Sequence, residues 1–217
     1  LPSDSSKFRV LTTPTTLDNE YYFLLATLIE TIDKYANTAS VYGAYLKKLK
    51  KTAQKNIILK PAELIINDKD HKVFNEDINQ LIQKIEGDIL YLDPPYNQRQ
   101  YATNYHLLET IAKYDDPEIH GKTGLRNYES QKSVYCSRAK VKTAFRNLIA
   151  NAKVKYIFLS YNNEGLMTAN DIKEIMSARG KYGYFTKAHS RFKADKNESR
   201  DYRADETTEY LHYAVCD

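Results

Sequence analysis

Glycine is scarce in this chain, with 7 in 217 residues, and tryptophan is absent. Gly43, Gly87, Gly121, Gly124, Gly165, Gly180 and Gly183 are scattered. No glycine-rich turn is therefore present to let the backbone pass close to a bound cofactor. Cysteine is limited to Cys136 and Cys216, neither at metal-ligand spacing from a histidine or a second cysteine. That argues against a disulfide framework and a zinc site and makes a reducing cytoplasm the default compartment. The 5 histidines are dispersed and form no ligand constellation. No apolar run approaches a membrane span. The start (Leu1, Pro2, Ser3, Asp4) is no basic-then-apolar leader, and the missing initiator methionine suggests a fragment or a processed chain. Charge of one sign is not in great excess: the net +4 permits nucleic-acid binding without demanding it.

What is present fits a soluble chain with a sizeable core, at 42% hydrophobic and 28% charged residues. Tyrosine is abundant at 19, which suits either half-buried core positions or surfaces that stack on flat partners. Residues 1–17 read as a polar leading segment. A helical region spans 21–50, with Asp18 as candidate N-cap, apolar residues at three-to-four spacing, and a candidate interruption at 36–39. A β-rich pair is expected at 56–59 and 63–66, so that 18–70 forms a candidate small lobe. From 71 to 217 strands and helices alternate: strand 72–75, helix 78–85, strand 88–92, helix 104–114, a loop to 137, helix 138–152, strand 154–161 and helix 169–179. Two closing strands, 182–192 and 207–216, flank the charged stretch 193–205. The expected fold class is α/β, a mostly parallel sheet with helices on its faces ending in an antiparallel hairpin.

The strand Ile89, Leu90, Tyr91, Leu92 runs into Asp93, Pro94, Pro95 and Tyr96. Two prolines cannot continue a ladder, so the chain leaves the strand in a stiff turn. Such a turn fixes a carboxylate, a proline carbonyl and an aromatic ring at the carboxyl end of a strand, where open α/β sheets bind ligands. Two acceptors and a ring of this kind can grip the hydrogens of a planar amine and stack on its ring system.

From about Tyr21 onward the chain resembles the adenine-specific amino DNA methyltransferases bearing the Asp-Pro-Pro-Tyr signature, most clearly over 87–97. The resemblance implies a Rossmann-like fold. It also implies transfer of a methyl group from S-adenosylmethionine to the amino group of an adenine flipped out of double-stranded DNA. The usual setting is a restriction–modification system, with a cognate restriction endonuclease as candidate partner. Asp93, Pro94, Pro95 and Tyr96 carry over as the catalytic set, with Asp93 also facing the cofactor. Asp77 is similar to the acidic residue that binds the cofactor's adenine amino group, with Ile78 packing on the same ring; Asp77 equally fits a helix N-cap. Ser160, Tyr161 and Asn162 end a strand like the family's next core strand, either as base or backbone contacts or as a strand-end turn.

Arg99, Gln100, Tyr101 and Asn104 follow the motif as candidate DNA contacts, Arg99 toward phosphate and Gln100 toward a base edge. Lysines, arginines and tyrosines interleave near 115–137, including Lys122, Arg126, Tyr128, Lys132, Tyr135 and Arg138, and again near 193–205, including Arg200. Both stretches read as DNA-facing or as solvated loops. The family's glycine-rich turn after its first strand is absent from these residues and is expected to lie before Leu1. Its absence supports a second reading, a recognition or partner-binding module of the same fold without chemistry. A third, methylation of another planar amine, fits less well with Asp at position 93.

Overall fold

The computed structural model describes residues 18–38, 41–44, 46–190 and 206–216. They fall into two compact units, one drawn from 18–70 and 102–127, the other from 71–101 and 128–216. The segment 102–127 thus groups with the expected small lobe and not with the sheet.

In the first unit, helix α1 (Asp18–Tyr35) ends where the expected interruption begins. Asn37 organises the turn beyond it, its amide donating to the Leu46 carbonyl at 2.9 Å and its Oδ1 accepting from the Lys50 N–H at 2.9 Å. The short helix α3 (Tyr101–Asn104) leads into α4 (His106–Lys113), which stops at Tyr114 in left-handed backbone, φ 48°. A two-stranded ribbon follows, β2 (Ile119–His120) with β3 (Leu125–Arg126), paired antiparallel.

The second unit is α/β. Its sheet is β1 (Ile89–Leu92), β4 (Tyr156–Asn162), β6 (Glu206–Cys216) and β5 (Gly180–Ser190), in that spatial order. Helices α2 (Ile78–Leu81), α5 (Val141–Asn151) and α6 (Ala169–Ser177) complete it. Strand alternation sorts the side chains: Ile157, Leu159, Tyr161 and Ala214 are buried. They join Val141, Phe145, Leu148 and Ile149 of α5 and Ile172, Ile175 and Met176 of α6 in one core. Thr168 and Asp171 close a capping box at the start of α6.

Two expectations are corrected. The sheet is mixed, not mostly parallel: among the described residues only β1 with β4 is a parallel strand pair, while β6 lies antiparallel to β4 and to β5. The closing antiparallel hairpin at one edge is as expected. The strands expected at 56–59, 63–66 and 72–75 do not form. Those residues are apolar enough for strands, yet a strand needs a neighbour for its N–H and C=O groups. Ile65 and Ile66 stand 89% exposed and Val73 95% exposed.

Candidate active site

Strands β1 and β4 run in register, Leu92 beside Leu159, so both leave the sheet at the same end. β1 stops at Leu92 because Pro94 and Pro95 offer no ladder donor and hold the residues before them extended. The loop after β4 fastens the resulting turn from the side, the Leu166 N–H donating to the Tyr96 carbonyl at 3.0 Å. Beyond the turn, Asn97 Oδ1 accepts from the Arg99 N–H at 2.9 Å. The Asp93 carboxylate is exposed and the Tyr96 ring is 43% exposed, so the corner faces outward.

Asp93, Pro94 and Pro95 line a cavity of about 670 Å³. Asp77 and Ile78 share it, with Ser130, Gln131, Lys132, Ser133 and Tyr135 on a further wall and Leu92, Phe145 and Leu148 from the core. No glycine lines it. Asp77 is the N-cap of α2: its Oδ1 accepts from Asn79 N–H at 2.9 Å and Gln80 N–H at 3.3 Å. Both bonds use one carboxylate oxygen, so capping and a role at the cavity are compatible.

The cavity wall around Tyr135 is held by a network that the sequence did not disclose. The buried Tyr135 hydroxyl donates to Asn79 Oδ1 at 2.9 Å, and Asn79 Nδ2 donates to the Ala144 carbonyl at 2.8 Å. Burial, and then the nearby Asp77 charge, hold the Tyr135 phenol protonated well above its ordinary range. Ser133 Oγ accepts from the Tyr135 N–H at 3.2 Å. The only sequence signal was Tyr135 itself, read with its loop as DNA-facing; Asn79 carried none.

Gln100 is corrected by the same network. Its Oε1 accepts from the Ser133 N–H at 2.8 Å and its Nε2 donates to the Ser133 carbonyl at 3.2 Å. An amide engaged at both ends ties the segment after the motif to the cavity wall, and it does not present itself to a base edge. Cys136 adds a second tie, its thiol donating to the Arg99 carbonyl at 3.3 Å. Tyr161 is corrected too. It is 2% exposed, and its hydroxyl oxygen accepts from Leu166 N–H at 3.1 Å and Met167 N–H at 3.3 Å. Asn162 is also buried, its Oδ1 accepting from Glu164 N–H at 3.1 Å. These two residues end β4 and their side chains hold the turn that follows, the alternative to base contact.

Of the remaining candidates, Arg99 and Arg138 are exposed and form no ion pair among the described residues. Tyr101 is 51% exposed, and Ser160 is half-buried on the strand face opposite Tyr161. Lys132 lines the cavity with its ammonium 2.7 Å from Glu129 and 5.5 Å from the Tyr128 ring centre. Asn104 lies in the first unit, its carbonyl accepting from the Tyr42 N–H. Arg126, read with a DNA-facing loop, is instead 8% exposed and paired through both guanidinium nitrogens with Asp115. Arg200 and the stretch 193–205 lie outside the described residues.

Among the described residues no group of His, Cys, Asp and Glu could hold a metal ion, and no helix is long and apolar enough to cross a membrane. No solved structure matches the chain. Curated relatives do. The chain is 56% identical over 195 residues to the type II methyltransferase M.NlaIII of Neisseria lactamica, covering 90% of this chain and 58% of that protein. To the type II methyltransferase M.FokI of Planomicrobium okeanokoites it is 44% identical over 201 residues, 91% of this chain and 30% of that protein. To the type II methyltransferase M.CviAII of Paramecium bursaria Chlorella virus 1 it is 40% identical over 177 residues, 81% of this chain and 52% of that protein. The chain thus spans between about a third and three fifths of the length of these relatives. The family model of the D12 class N6 adenine-specific DNA methyltransferases matches residues 15–175, including the strand, the Asp-Pro-Pro-Tyr turn and the loop beyond β4, and the chain belongs to that family.

Proposed function

We propose that the protein methylates the amino group of adenine at a specific site in double-stranded DNA. S-adenosylmethionine is the methyl donor and the setting a restriction–modification system in the cytoplasm, with a cognate restriction endonuclease as partner. The observation that carries this reading is the outward-facing Asp93 on a cavity that also holds Asp77.

The residues present fit the adenosine end of that donor. Asp77 offers an acceptor to an adenine amino group, and Ile78 and Pro94 offer apolar contact to its ring. When bound, the donor supplies an electrophilic methyl carbon on a sulfonium sulfur. The chain's own residues prepare the nucleophile. The lone pair of an adenine amine is delocalised into the ring, so the nitrogen needs help to become tetrahedral. The Asp93 carboxylate and the Pro94 carbonyl accept hydrogen bonds from its two N–H groups, and the carboxylate stabilises the positive charge that develops on nitrogen until one amine proton is released to solvent. The Tyr96 ring stacks on the base once it has left the duplex, an interaction of about 1–3 kcal/mol. Arg99, Tyr101 and Arg138 extend the surface toward the DNA backbone. The unit that carries the site, although its sheet is mixed, is the Rossmann-like methyltransferase fold.

Incubation of plasmid DNA with the full-length protein and methyl-labelled S-adenosylmethionine, followed by nucleoside mass spectrometry, tests the reading. Label in N6-methyladenine is expected. Label confined to methylated cytosine, or absent from DNA, contradicts it. One observation favours the reading of a recognition module without chemistry: no glycine is among the residues that line the cavity shared by Asp77 and Asp93. Sequence-specific DNA binding without any transfer would support that alternative.

A further inference from the structure

Tyr161 has more contacts than packing requires. Its ring is sealed in the core, where phenylalanine would bury the same surface, yet its oxygen accepts two main-chain N–H groups, from Leu166 and Met167. The loop between those strand and helix ends wraps the ring so closely that a Cβ on Gly165 would lie 2.1 Å from the ring's Cε1, so only glycine fits there. Asn162 holds the loop's other side, its carbonyl accepting from the Gly165 N–H at 3.3 Å. The Leu166 N–H is shared: it reaches the Tyr161 oxygen at 3.1 Å and the Tyr96 carbonyl at 3.0 Å. One buried phenol oxygen and the exposed turn are therefore joined through a single amide.

We propose that Tyr161 is a positioning residue for Tyr96, fixing the height of its ring through the Leu166 amide. The role in methyl transfer rests on the reaction assigned above; the mechanical link does not. Tyr161→Phe keeps the ring and removes the acceptor. The buried Met167 N–H then loses its partner and the loop loosens, so the Leu166 N–H still donates to the Tyr96 carbonyl but is no longer held in place by the phenol oxygen.

The test uses the full-length protein, its Y161F variant and G165A, which pushes a methyl group into the same ring. Methyl transfer to plasmid DNA lacking N6-methyladenine is measured beside amide hydrogen exchange. For Y161F, kcat is expected to fall about tenfold while KM for S-adenosylmethionine stays within about twofold. Exchange is expected to quicken at Leu166 and Met167 in both variants, and the ring signals of Tyr96 in tyrosine-labelled protein are expected to shift with them. Faster exchange at Leu166 and Met167, with the Tyr96 ring signals and kcat unmoved, would reduce Tyr161 to a loop anchor and overturn the proposal. If the unsubstituted protein labels no adenine, the assigned reaction fails; the Tyr96 ring signals still decide the link.

Discussion

A carboxylate has two oxygens, and the cap of α2 occupies only one of those on Asp77. Asparagine caps a helix about as well as aspartate but has one oxygen. Asp77→Asn is therefore expected to leave thermal stability nearly unchanged and to weaken S-adenosylmethionine binding in the full-length protein. Asp77→Ala is expected to weaken binding and to lose roughly 1 kcal/mol of stability. Calorimetry and thermal unfolding on the pair separate the two duties; unchanged cofactor affinity in Asp77→Asn would confine Asp77 to the cap. At Tyr96, removal of the ring in Tyr96→Ala is expected to lower kcat/KM for DNA by the loss of one stacked base, about 1–3 kcal/mol. The residues that could be read in sequence are those whose chemistry is local. Two prolines after an apolar strand dictate a turn whatever surrounds them, and Asp77 before a helix is a cap by position. Gln100 was misread because its role depends on a partner 33 positions away, which no local pattern reveals; at Tyr161 both alternatives were open, and the amides of the loop beyond β4 take up its hydroxyl.

Within β6, His212 sits 1% exposed among three tyrosines. Its Nδ1 accepts from the Tyr182 hydroxyl at 2.8 Å, taking the ring as neutral, and the Tyr210 ring stacks on it at 5.2 Å. Burial pushes its pKa down from 6.5 to about 4. The unfolded imidazole takes up a proton as pH falls below 6.5, and the folded one refuses it until about 4. The contribution of this group is complete above the unfolded value and is lost progressively across that window, by up to roughly 3 kcal/mol. Urea midpoints between pH 7 and pH 4 measure this, and His212→Phe is expected to flatten the dependence. A wild-type midpoint that held level down to pH 4 would refute the buried neutral histidine. The elements themselves were legible where periodicity met a partner: α5, α6 and the closing hairpin fall near their expected places. Segments 56–59, 63–66 and 72–75 had the right residues for strands, but residue type cannot supply a neighbouring strand.

On the scale of the sheet and its surroundings, the two faces differ sharply. One packs on α5 and α6; the other leaves Ile89, Tyr91, Tyr156, Phe185, Leu211 and Val215 exposed across four strands in register. A contiguous apolar patch of that kind drives association. The 217-residue chain by itself is expected to self-associate and to bind an apolar dye, and Phe185→Lys is expected to reduce both. A monodisperse monomer in light scattering that ignores the dye would contradict this. The α/β class was legible from alternating helices and strands, whereas the mixed sheet was not. Strand direction follows from which strands become neighbours, and β6 comes to lie between β4 and β5 only through long-range pairing.

The central claim is that the Asp93 carboxylate, held outward by two prolines, makes an adenine amine reactive. Single-turnover transfer by full-length Asp93→Ala, at saturating S-adenosylmethionine and with DNA binding verified, tests it most directly. A fall in rate on the order of a hundredfold to a thousandfold, with DNA affinity retained, is expected. A rate within about threefold of the unsubstituted protein would contradict the claim.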